Sequence, residues 1–197
     1  LDGGYEMNNE DKYERIIESA IEIISEKGFQ KTVVSDIVRK AQVAQGTFYL
    51  YFSSKNALIP AIAERLLKMT LYKIKESMSE SKDFWHALKI YIDETYKITD
   101  EYKDVLILCY SGLAFEYSME TWEKIYQPYY EWFEQIIHKA ISHKEIIANI
   151  NVVSYAKLLI NLVENSAERF YIANDQNLTD EESKKELFLF IQRSLKC

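Results

Sequence analysis

Residues 45–55 read Gln-Gly-Thr-Phe-Tyr-Leu-Tyr-Phe-Ser-Ser-Lys, and this stretch predicts how the N-terminal part of the chain folds. Phe48 and Phe52 are four residues apart, so they share one face of a short helix and pack into a core. Another short amphipathic helix precedes it and places Ile37 and Ala41 against the two phenylalanines. Two short helices joined by three or four residues predict a helix-turn-helix unit. The outward face of its second helix carries Gln45, Gly46, Thr47, Tyr49 and Leu50.

The second helix of such a unit enters the major groove of DNA with its N-terminal residues at the base edges. The Gln45 amide can form two hydrogen bonds to an adenine, and the Thr47 methyl group can contact the methyl group of a thymine. Gly46 has no side chain, so the helix backbone can approach DNA closely. The residues of this segment that are suited to contact phosphate groups are Lys31, Thr32, Tyr49 and Lys55.

A longer helix, over roughly residues 9–27, precedes the two short ones. The residues of its apolar face recur at helical spacing: Ile17, Ile21 and Ile24. Gly28 is the expected glycine at the end of this helix, and Thr32 is the expected N-cap of the next one. The three helices together predict an N-terminal three-helix domain.

The composition favours an all-α fold for the whole chain. The chain has 197 residues, of which 48% are hydrophobic, five are glycine and two are proline. β-Sandwiches and doubly wound α/β folds need turn residues or glycine-rich loops at many positions, so both are excluded. A capping box at residues 179–182 opens the last helix. Helical periodicity predicts about nine helices, the later ones over residues 83–98, 101–117, 120–142, 151–174 and 180–195.

The net charge is −7, but the charge is distributed unevenly. Residues 27–55 contain five basic residues and one acidic residue, a net charge of +4, so the rest of the chain carries −11. A locally positive segment can bind DNA although the whole chain is acidic. No apolar run approaches the roughly 18 residues of a membrane span, no signal peptide is recognised, and Cys109 and Cys197 lack metal-ligand spacing. We therefore expect a cytoplasmic protein without a metal, a cofactor or a membrane partner.

The last two predicted helices are apolar on more than one face. A helix of this kind is buried on two sides, and one chain has a single core to cover. This pattern predicts a twofold four-helix interface between two copies of the chain; the alternative is a well-packed core within one chain. The residues expected at the interface are Leu159, Val163, Phe170, Phe188 and Ile191.

Aromatic residues are concentrated between residues 84 and 133. Tyr126, Tyr130, Phe133 and Ile137 share one helix face, which is typical of a core. The alternative is a cavity lined by aromatic rings and a few polar groups, opened by a break or kink at Pro128. Aromatic faces beside a carboxylate suit a hydrophobic or cationic ligand. The candidate ligand-binding residues are Tyr96, Tyr110, Trp122, Tyr126, Tyr130 and Glu164.

The segment from about residue 15 to residue 58 resembles the DNA-binding domain of the TetR family of bacterial transcriptional regulators. The residues that carry the resemblance are the run over 46–55 together with Gly28, Phe29, Thr32, Ile37, Ala41, Val43 and Leu58. Residues 1–7, up to Met7, are expected to be a disordered or vector-derived tail. The resemblance implies a DNA-binding domain over 8–53 and a helical effector-binding and dimerisation domain over 54–197. It implies contacts to double-stranded DNA from Lys31, Thr32, Val33, Gln45, Gly46, Thr47, Tyr49, Leu50, Tyr51 and Lys55.

Four residues depart from the family pattern. Val33 stands where a hydroxyl residue usually contacts phosphate, and Gln42 replaces a common glycine of the turn. Ala44 replaces the serine that caps the DNA-contacting helix, a loss that costs about 1 kcal/mol. Leu50 occupies a frequent histidine position and can contact a thymine methyl group instead.

We therefore expect a homodimeric repressor that a small hydrophobic or cationic effector releases from a near-palindromic operator. The two half-sites would lie about 34–36 Å apart or a multiple of that distance. The alternative is a helical protein that binds a ligand or a partner helix without contacting DNA. Enzyme activity is not expected, because Tyr110-Ser111-Gly112 lacks the first glycine of a nucleophile elbow. The histidines are also scattered, at positions 86, 138 and 143.

Overall fold

The computed structural model describes the backbone of residues 3–113, 119–175 and 177–196, and the side chains of residues 11–109, 120, 123–175 and 177–196. All regular structure in these ranges is helical, which confirms the all-α prediction. None of the helices described is long and apolar enough to cross a membrane. A 3₁₀ helix at Asn56–Leu58 precedes α4. The α-helices are α1 (Gly3–Lys27), α2 (Val34–Lys40), α3 (Gln45–Tyr51), α4 (Ile59–Met78), α5 (Phe84–Leu113), α6 (Met119–Ser142), α7 (Val152–Tyr171) and α8 (Asp180–Leu195).

The chain divides into two compact units. The first unit comprises Leu1–Leu67 and Tyr102–Ser118, and the second comprises Lys68–Glu101 and Met119–Cys197. Arg65 on α4 forms ion pairs with Glu14 (3.2 Å) and Glu18 on α1, so the first turns of α4 pack with the N-terminal helices. The functional domain limits at residues 7/8 and 53/54 stay predictions.

The core of the first unit is built on the apolar face of α1. Ile17, Ile21 and Ile24 are all buried, as their spacing predicts. The helix ends at Gly28, whose backbone N–H donates to the Ile24 carbonyl (2.8 Å). Gly28 has a φ of +78°, a conformation that a residue with a Cβ atom adopts only with strain. The predicted end of this helix is therefore confirmed.

The helix-turn-helix unit consists of α2 and α3. Phe48 and Phe52 are buried and their ring centroids lie 5.6 Å apart. Ile37 and Ala41 are buried as well, so both short helices turn their predicted faces inward. α2 packs against both α1 and α3, and the unit thus forms as the sequence predicts.

In the second unit, α7 packs against both α6 and α8. The capping box of α8 is confirmed: the Thr179 hydroxyl accepts from the Glu182 N–H (3.3 Å), and the Glu182 carboxylate accepts from the Thr179 N–H (2.9 Å). The buried residues of α7 and α8 are Ala156, Leu159, Ile160, Val163, Ala167, Leu187, Ile191 and Leu195.

Three details differ from the sequence-based predictions. The helices predicted over 83–98 and 101–117 follow one another without a loop: α5 consists of two helical segments that meet at a kink at Tyr102 (φ −114°, ψ 18°). α6 continues through Pro128, because one missing backbone hydrogen bond does not outweigh the packing of the buried residues that follow it. Thr32 does not cap α2. Val33 occupies the N-cap position instead, with extended backbone and no side-chain cap.

Candidate functional site

The outward face of α3 is open to solvent. Gln45, Gly46, Tyr49 and Leu50 are exposed, and 82% of the Leu50 surface is accessible. Thr47 is half-buried. The surface that the sequence predicts for DNA contact is therefore accessible to solvent in the first unit.

Gly46 is not required by the fold. A Cβ atom built at this position meets no atom within 4 Å, and the backbone has no positive φ that would demand glycine. An alanine would also favour a helix by up to about 1 kcal/mol. The missing side chain at Gly46 thus leaves space on the protein surface for a ligand that approaches the backbone.

The two short helices begin without side-chain caps. Val33 and Ala44 are their N-cap residues, and neither accepts a hydrogen bond through its side chain. Val33 is 50% exposed. First-turn N–H groups that no side chain caps are suitable donors for phosphate oxygens, which the helix dipole also attracts.

Arg15 holds the turn between α2 and α3, a role that the sequence analysis missed. Its guanidinium donates to the Ala41 carbonyl and to the Gln42 carbonyl (3.3 Å). Gln42 has a φ of +55°, which explains why glycine is common at this position in the family that the segment resembles. No local pattern identifies this role, because the two carbonyls lie at least 26 residues from Arg15 in the chain.

The candidate phosphate contacts have different environments. Lys31 is exposed and forms no ion pair with any described residue. Thr32 is fully buried and its hydroxyl donates to the Gly28 carbonyl (2.8 Å), so a side-chain contact with phosphate is not supported in the free chain. The Lys55 ammonium donates to the carbonyls of Phe29 and Thr32 (2.8 Å each). Two of the three protons of this ammonium group thus hold the loop before α2, and a phosphate contact from Lys55 stays a prediction.

Tyr51 and Tyr49 lie on different sides of α3. Tyr51 is half-buried, with its ring centroid 5.6 Å from that of Tyr13 on α1. Tyr49 is 52% exposed. Tyr49 is therefore accessible to a partner, and a contact from Tyr51 to DNA stays a prediction.

Most of the basic side chains in residues 27–55 form ion pairs with acidic side chains. Asp36 forms ion pairs with Lys27 and Arg39 (2.9 Å), and the hydrogen bond from Lys27 lowers the pKa of Asp36. Lys40 forms an ion pair with Glu22 on α1 (2.6 Å), and this contact raises the pKa of Lys40. Because Glu22 lies outside residues 27–55, the net charge of +4 for that segment overstates the positive potential of this surface.

A buried carboxyl group lies among tyrosines in the second unit. The Tyr126 hydroxyl donates to the Glu164 carboxylate (3.3 Å), and the Tyr126 ring centroid lies 5.6 Å from that of Tyr130. Burial, with a smaller contribution from Glu168, raises the pKa of Glu164 to about 8. Glu164 nevertheless keeps some accessible surface, and no described basic residue forms an ion pair with it. We refer to Tyr126, Tyr130 and Glu164 as the carboxyl–tyrosine cluster.

The other candidate ligand-binding residues do not join this cluster. The Tyr96 hydroxyl bonds Ser166 (2.8 Å) and Ser183 (2.9 Å), and its side chain is 1% exposed. Tyr96 thus connects α5, α7 and α8 within the core, and a role in ligand binding is not supported. The side chains of Tyr110 and Trp122 lie outside the described residues.

The candidate interface residues divide into two groups. Leu159, Val163 and Ile191 are buried within one chain. The same helices use these positions for their own core, so their assignment to an interface is not supported. Phe170 and Phe188 are partly accessible. Sequence reasoning missed the outward apolar residues of α7 and α8, which are Val153 (51% exposed), Leu158 (62%) and Phe190 (61%).

Comparisons with known proteins agree with this architecture. Residues 16–62 match the family model described as bacterial regulatory proteins, tetR family, and residues 88–195 match the tetracyclin repressor-like C-terminal domain. The chain is 60% identical over 184 residues to the HTH-type transcriptional regulator YvdT of Bacillus subtilis, covering 93% of this chain and 95% of the relative.

Solved structures share the fold at lower identity. The transcriptional regulator FadR from Bacillus subtilis, solved with stearoyl-CoA, matches with a TM-score of 0.70 at 20% identity over 91% of this chain and 97% of that chain. A transcriptional regulator from Saccharomonospora viridis, solved with choline, matches with a TM-score of 0.72 at 14% identity over 93% and 97%.

The family models cover both the helix-turn-helix segment and most of the second half of the chain. The names of the family and of its matched relative are those of transcriptional regulators, not of enzymes or of binding proteins without a DNA-binding domain. Regulators of this family bind DNA operators, dimerise and bind small-molecule effectors. The chain therefore belongs to the TetR family of bacterial regulatory proteins and is a helix-turn-helix transcriptional regulator.

Proposed function

We propose that the chain is a cytoplasmic homodimeric repressor that binds a near-palindromic operator through α3 and leaves it when a small cationic effector binds in the second unit. The observation that carries the DNA-binding part is the open face of α3 around Gly46. Two copies of this face, one per subunit, would enter successive major grooves about 34–36 Å apart.

The residues of α3 have separate roles in this proposal. Gln45 bonds an adenine edge, whereas the methyl groups of Thr47 and Leu50 contact thymine methyl groups. Lys31 contacts a phosphate group, so binding weakens with salt, and Lys31→Gln reduces the salt slope by about one. Lys55→Gln would instead destabilise the free protein, because Lys55 holds the loop before α2.

The test of DNA recognition begins with a selection of bound fragments from a random DNA pool by the full chain. A recovered palindrome supports the proposal, and a pool without enrichment contradicts it. Gly46→Ala then separates folding from binding. We expect the free variant to be at least as stable as the parent chain, since its Cβ meets nothing, but to bind the selected operator at least tenfold more weakly.

Gln45→Ala tests the base contact in the same operator. We expect it to relax the preference at one base pair by about 1–3 kcal/mol. The matched control is Gln135→Ala, which removes an equally exposed amide from α6 and should leave every affinity unchanged. Equal losses of operator affinity in the two variants would mean that the Gln45 side chain does not contact a base.

The carboxyl–tyrosine cluster supports a cationic effector. Glu164 has no cationic partner among the described residues, and the half-buried Tyr126 ring beside this carboxyl group can attract a quaternary ammonium group. The Tyr130 ring is already occupied, because the Lys157 ammonium lies 4.8 Å from its centroid. The solved relative that holds choline supports this class of ligand, whereas the relative that holds stearoyl-CoA supports a hydrophobic one. The effector acts only through its different affinities for the DNA-bound and released conformations.

Choline and its neutral isostere 3,3-dimethylbutan-1-ol distinguish the two classes. We expect choline to bind the full chain at least tenfold more tightly than the alcohol and to release the selected operator. Glu164→Gln should abolish this difference. Equal binding of choline and the alcohol, or release by stearoyl-CoA alone, would contradict a cationic effector while leaving the DNA-binding proposal intact.

A further inference from the structure

A cavity lies in the second unit where α4 ends, α5 begins and α6 ends, and no residue of the carboxyl–tyrosine cluster lines it. Its volume is about 290 Å³, near the lower limit for small-molecule pockets. Its floor is apolar, because Met78, Phe84 and Ala140 are buried there. The half-buried Trp132 supplies an aromatic wall.

Three lysines surround this floor. Lys75, Lys82 and Lys139 are exposed, and none of them forms an ion pair with a described residue. The Lys75 ammonium lies 5.5 Å from the centroid of the Trp132 ring. Positive charge and an aromatic face therefore meet in one cavity.

The two carboxylates of the cavity are already engaged. Asp83 accepts a hydrogen bond from the His86 N–H (2.8 Å) at the start of α5. Glu145 accepts from the Phe84 N–H and lies 3.3 Å from a ring nitrogen of His143. Both carboxylates thus hold the N-terminus of α5, and the three lysines keep their charge available for an external anion.

We propose that this cavity binds a small amphipathic anion, with an aryl or acyl group against Trp132 and a carboxylate, sulfonate or phosphate group facing the lysines. The occupant differs in charge from the cation proposed for the carboxyl–tyrosine cluster. The two sites can therefore be tested independently, and failure of one leaves the other standing.

Naphthalene-2-sulfonate is a suitable probe, and naphthalene-2-sulfonamide is its neutral counterpart. Calorimetry on the full chain should show one sulfonate site per chain, at least tenfold tighter than the sulfonamide and weakened by salt. The double variant Lys82→Gln/Lys139→Gln should lose at least tenfold in sulfonate affinity. The control Lys124→Gln, on α6 outside the cavity, should bind like the parent chain.

Two further measurements locate the probe. The sulfonate should quench tryptophan emission in the parent chain, and Trp132→Phe should remove that quenching. Sulfonate affinity should be unchanged in Glu164→Gln. The proposal is overturned if the sulfonamide binds as tightly, if the lysine variant keeps full affinity, or if Glu164→Gln rather than the lysine variant loses binding.

Discussion

Gln42 is the residue at which the helix-turn-helix holds backbone strain. Its φ of +55° lies in the left-handed region, where a side chain with a Cβ atom costs about 1–2 kcal/mol. The Arg15 guanidinium bonds its carbonyl (3.3 Å), and its own N–H donates to the Arg39 carbonyl (3.2 Å). These contacts hold the turn in a conformation that glutamine does not favour.

Gln42→Gly should therefore raise the free energy of unfolding by about 0.5–1 kcal/mol. The glycine relieves the backbone strain of the folded state, and the larger entropy of the unfolded glycine variant offsets part of that gain. Urea unfolding followed by circular dichroism measures the change. Gln30→Gly is the control, since Gln30 has no positive φ, and it should not gain stability. A less stable Gln42→Gly variant would show that the strain argument fails.

Glu164 should make the stability of the protein depend on pH. Its pKa is raised to about 8 in the folded chain, whereas an unfolded glutamate titrates near 4.3. The folded state therefore holds a proton that the unfolded state releases, and stability falls as pH rises from about 4.3 to 8. Glu164→Gln should remove this loss, so the variant gains stability over the parent chain at pH 8 but not at pH 4. Thermal unfolding at several pH values measures it, and a constant difference would contradict the shifted pKa.

The same titration affects ligand binding. A cation beside Glu164 favours the ionised carboxylate, so choline affinity should rise with pH up to about 8. Binding near pH 7 should release protons, which calorimetry in buffers of different ionisation enthalpy detects.

α3 and α8 differ in how their N-termini are capped. α8 opens with a complete capping box from Thr179 and Glu182, whereas α3 follows Ala44 and has no side-chain cap. Ala44→Ser should raise the free energy of unfolding by about 1 kcal/mol, and Thr179→Ala should lower it by about the same amount.

Ala44 lies in the first compact unit and Thr179 in the second, so the two variants can be distinguished by where their effects are detected. All three tryptophans, at positions 85, 122 and 132, belong to the second unit. Tryptophan emission should therefore report the Thr179→Ala change directly, and circular dichroism should report both. A loss of stability in Ala44→Ser would mean that the serine is not placed to cap α3.

Helical periodicity predicted the existence and type of most elements, because their apolar spacing and end signals are local. Gly28 and the capping box at Thr179 are examples, since each acts within four residues of its own position. The roles of Arg15 and Lys55 could not be predicted in this way. Their hydrogen bonds reach carbonyls of Ala41 and Gln42 and of Phe29 and Thr32, which all lie more than twenty residues away in the chain.

Local spacing also could not identify which apolar residues of α7 and α8 remain exposed. α7 and α8 carry apolar residues around more than one face, so the spacing alone does not show which face the protein core covers. The fold buries Leu159 and Ile191 and leaves Leu158 and Phe190 outside.

In the repressor that we propose, operator binding depends on dimerisation. One α3 helix would contact one half-site, so a single chain would make half of the base contacts of a dimer. The chain is also acidic overall, with a net charge of −7, which disfavours binding to DNA at long range. Specific binding would therefore depend on two correctly spaced copies of a small surface.

The outward apolar residues of α7 and α8 should hold these copies together. We expect the double variant Leu158→Glu/Phe190→Glu to be monomeric, because two carboxylates per chain would have to be buried without partners in the interface. Light scattering should change from about twice the chain mass to the 23.2 kDa of one chain. Tyr72→Glu is the matched control, since Tyr72 is 67% exposed on α4 and its replacement should leave the mass unchanged. The monomeric variant should fold but bind the selected operator at least a hundredfold more weakly, with half-site affinity retained. A double variant that stays dimeric would place the interface elsewhere, and a parent chain that is monomeric at micromolar concentration would contradict the repressor proposal itself.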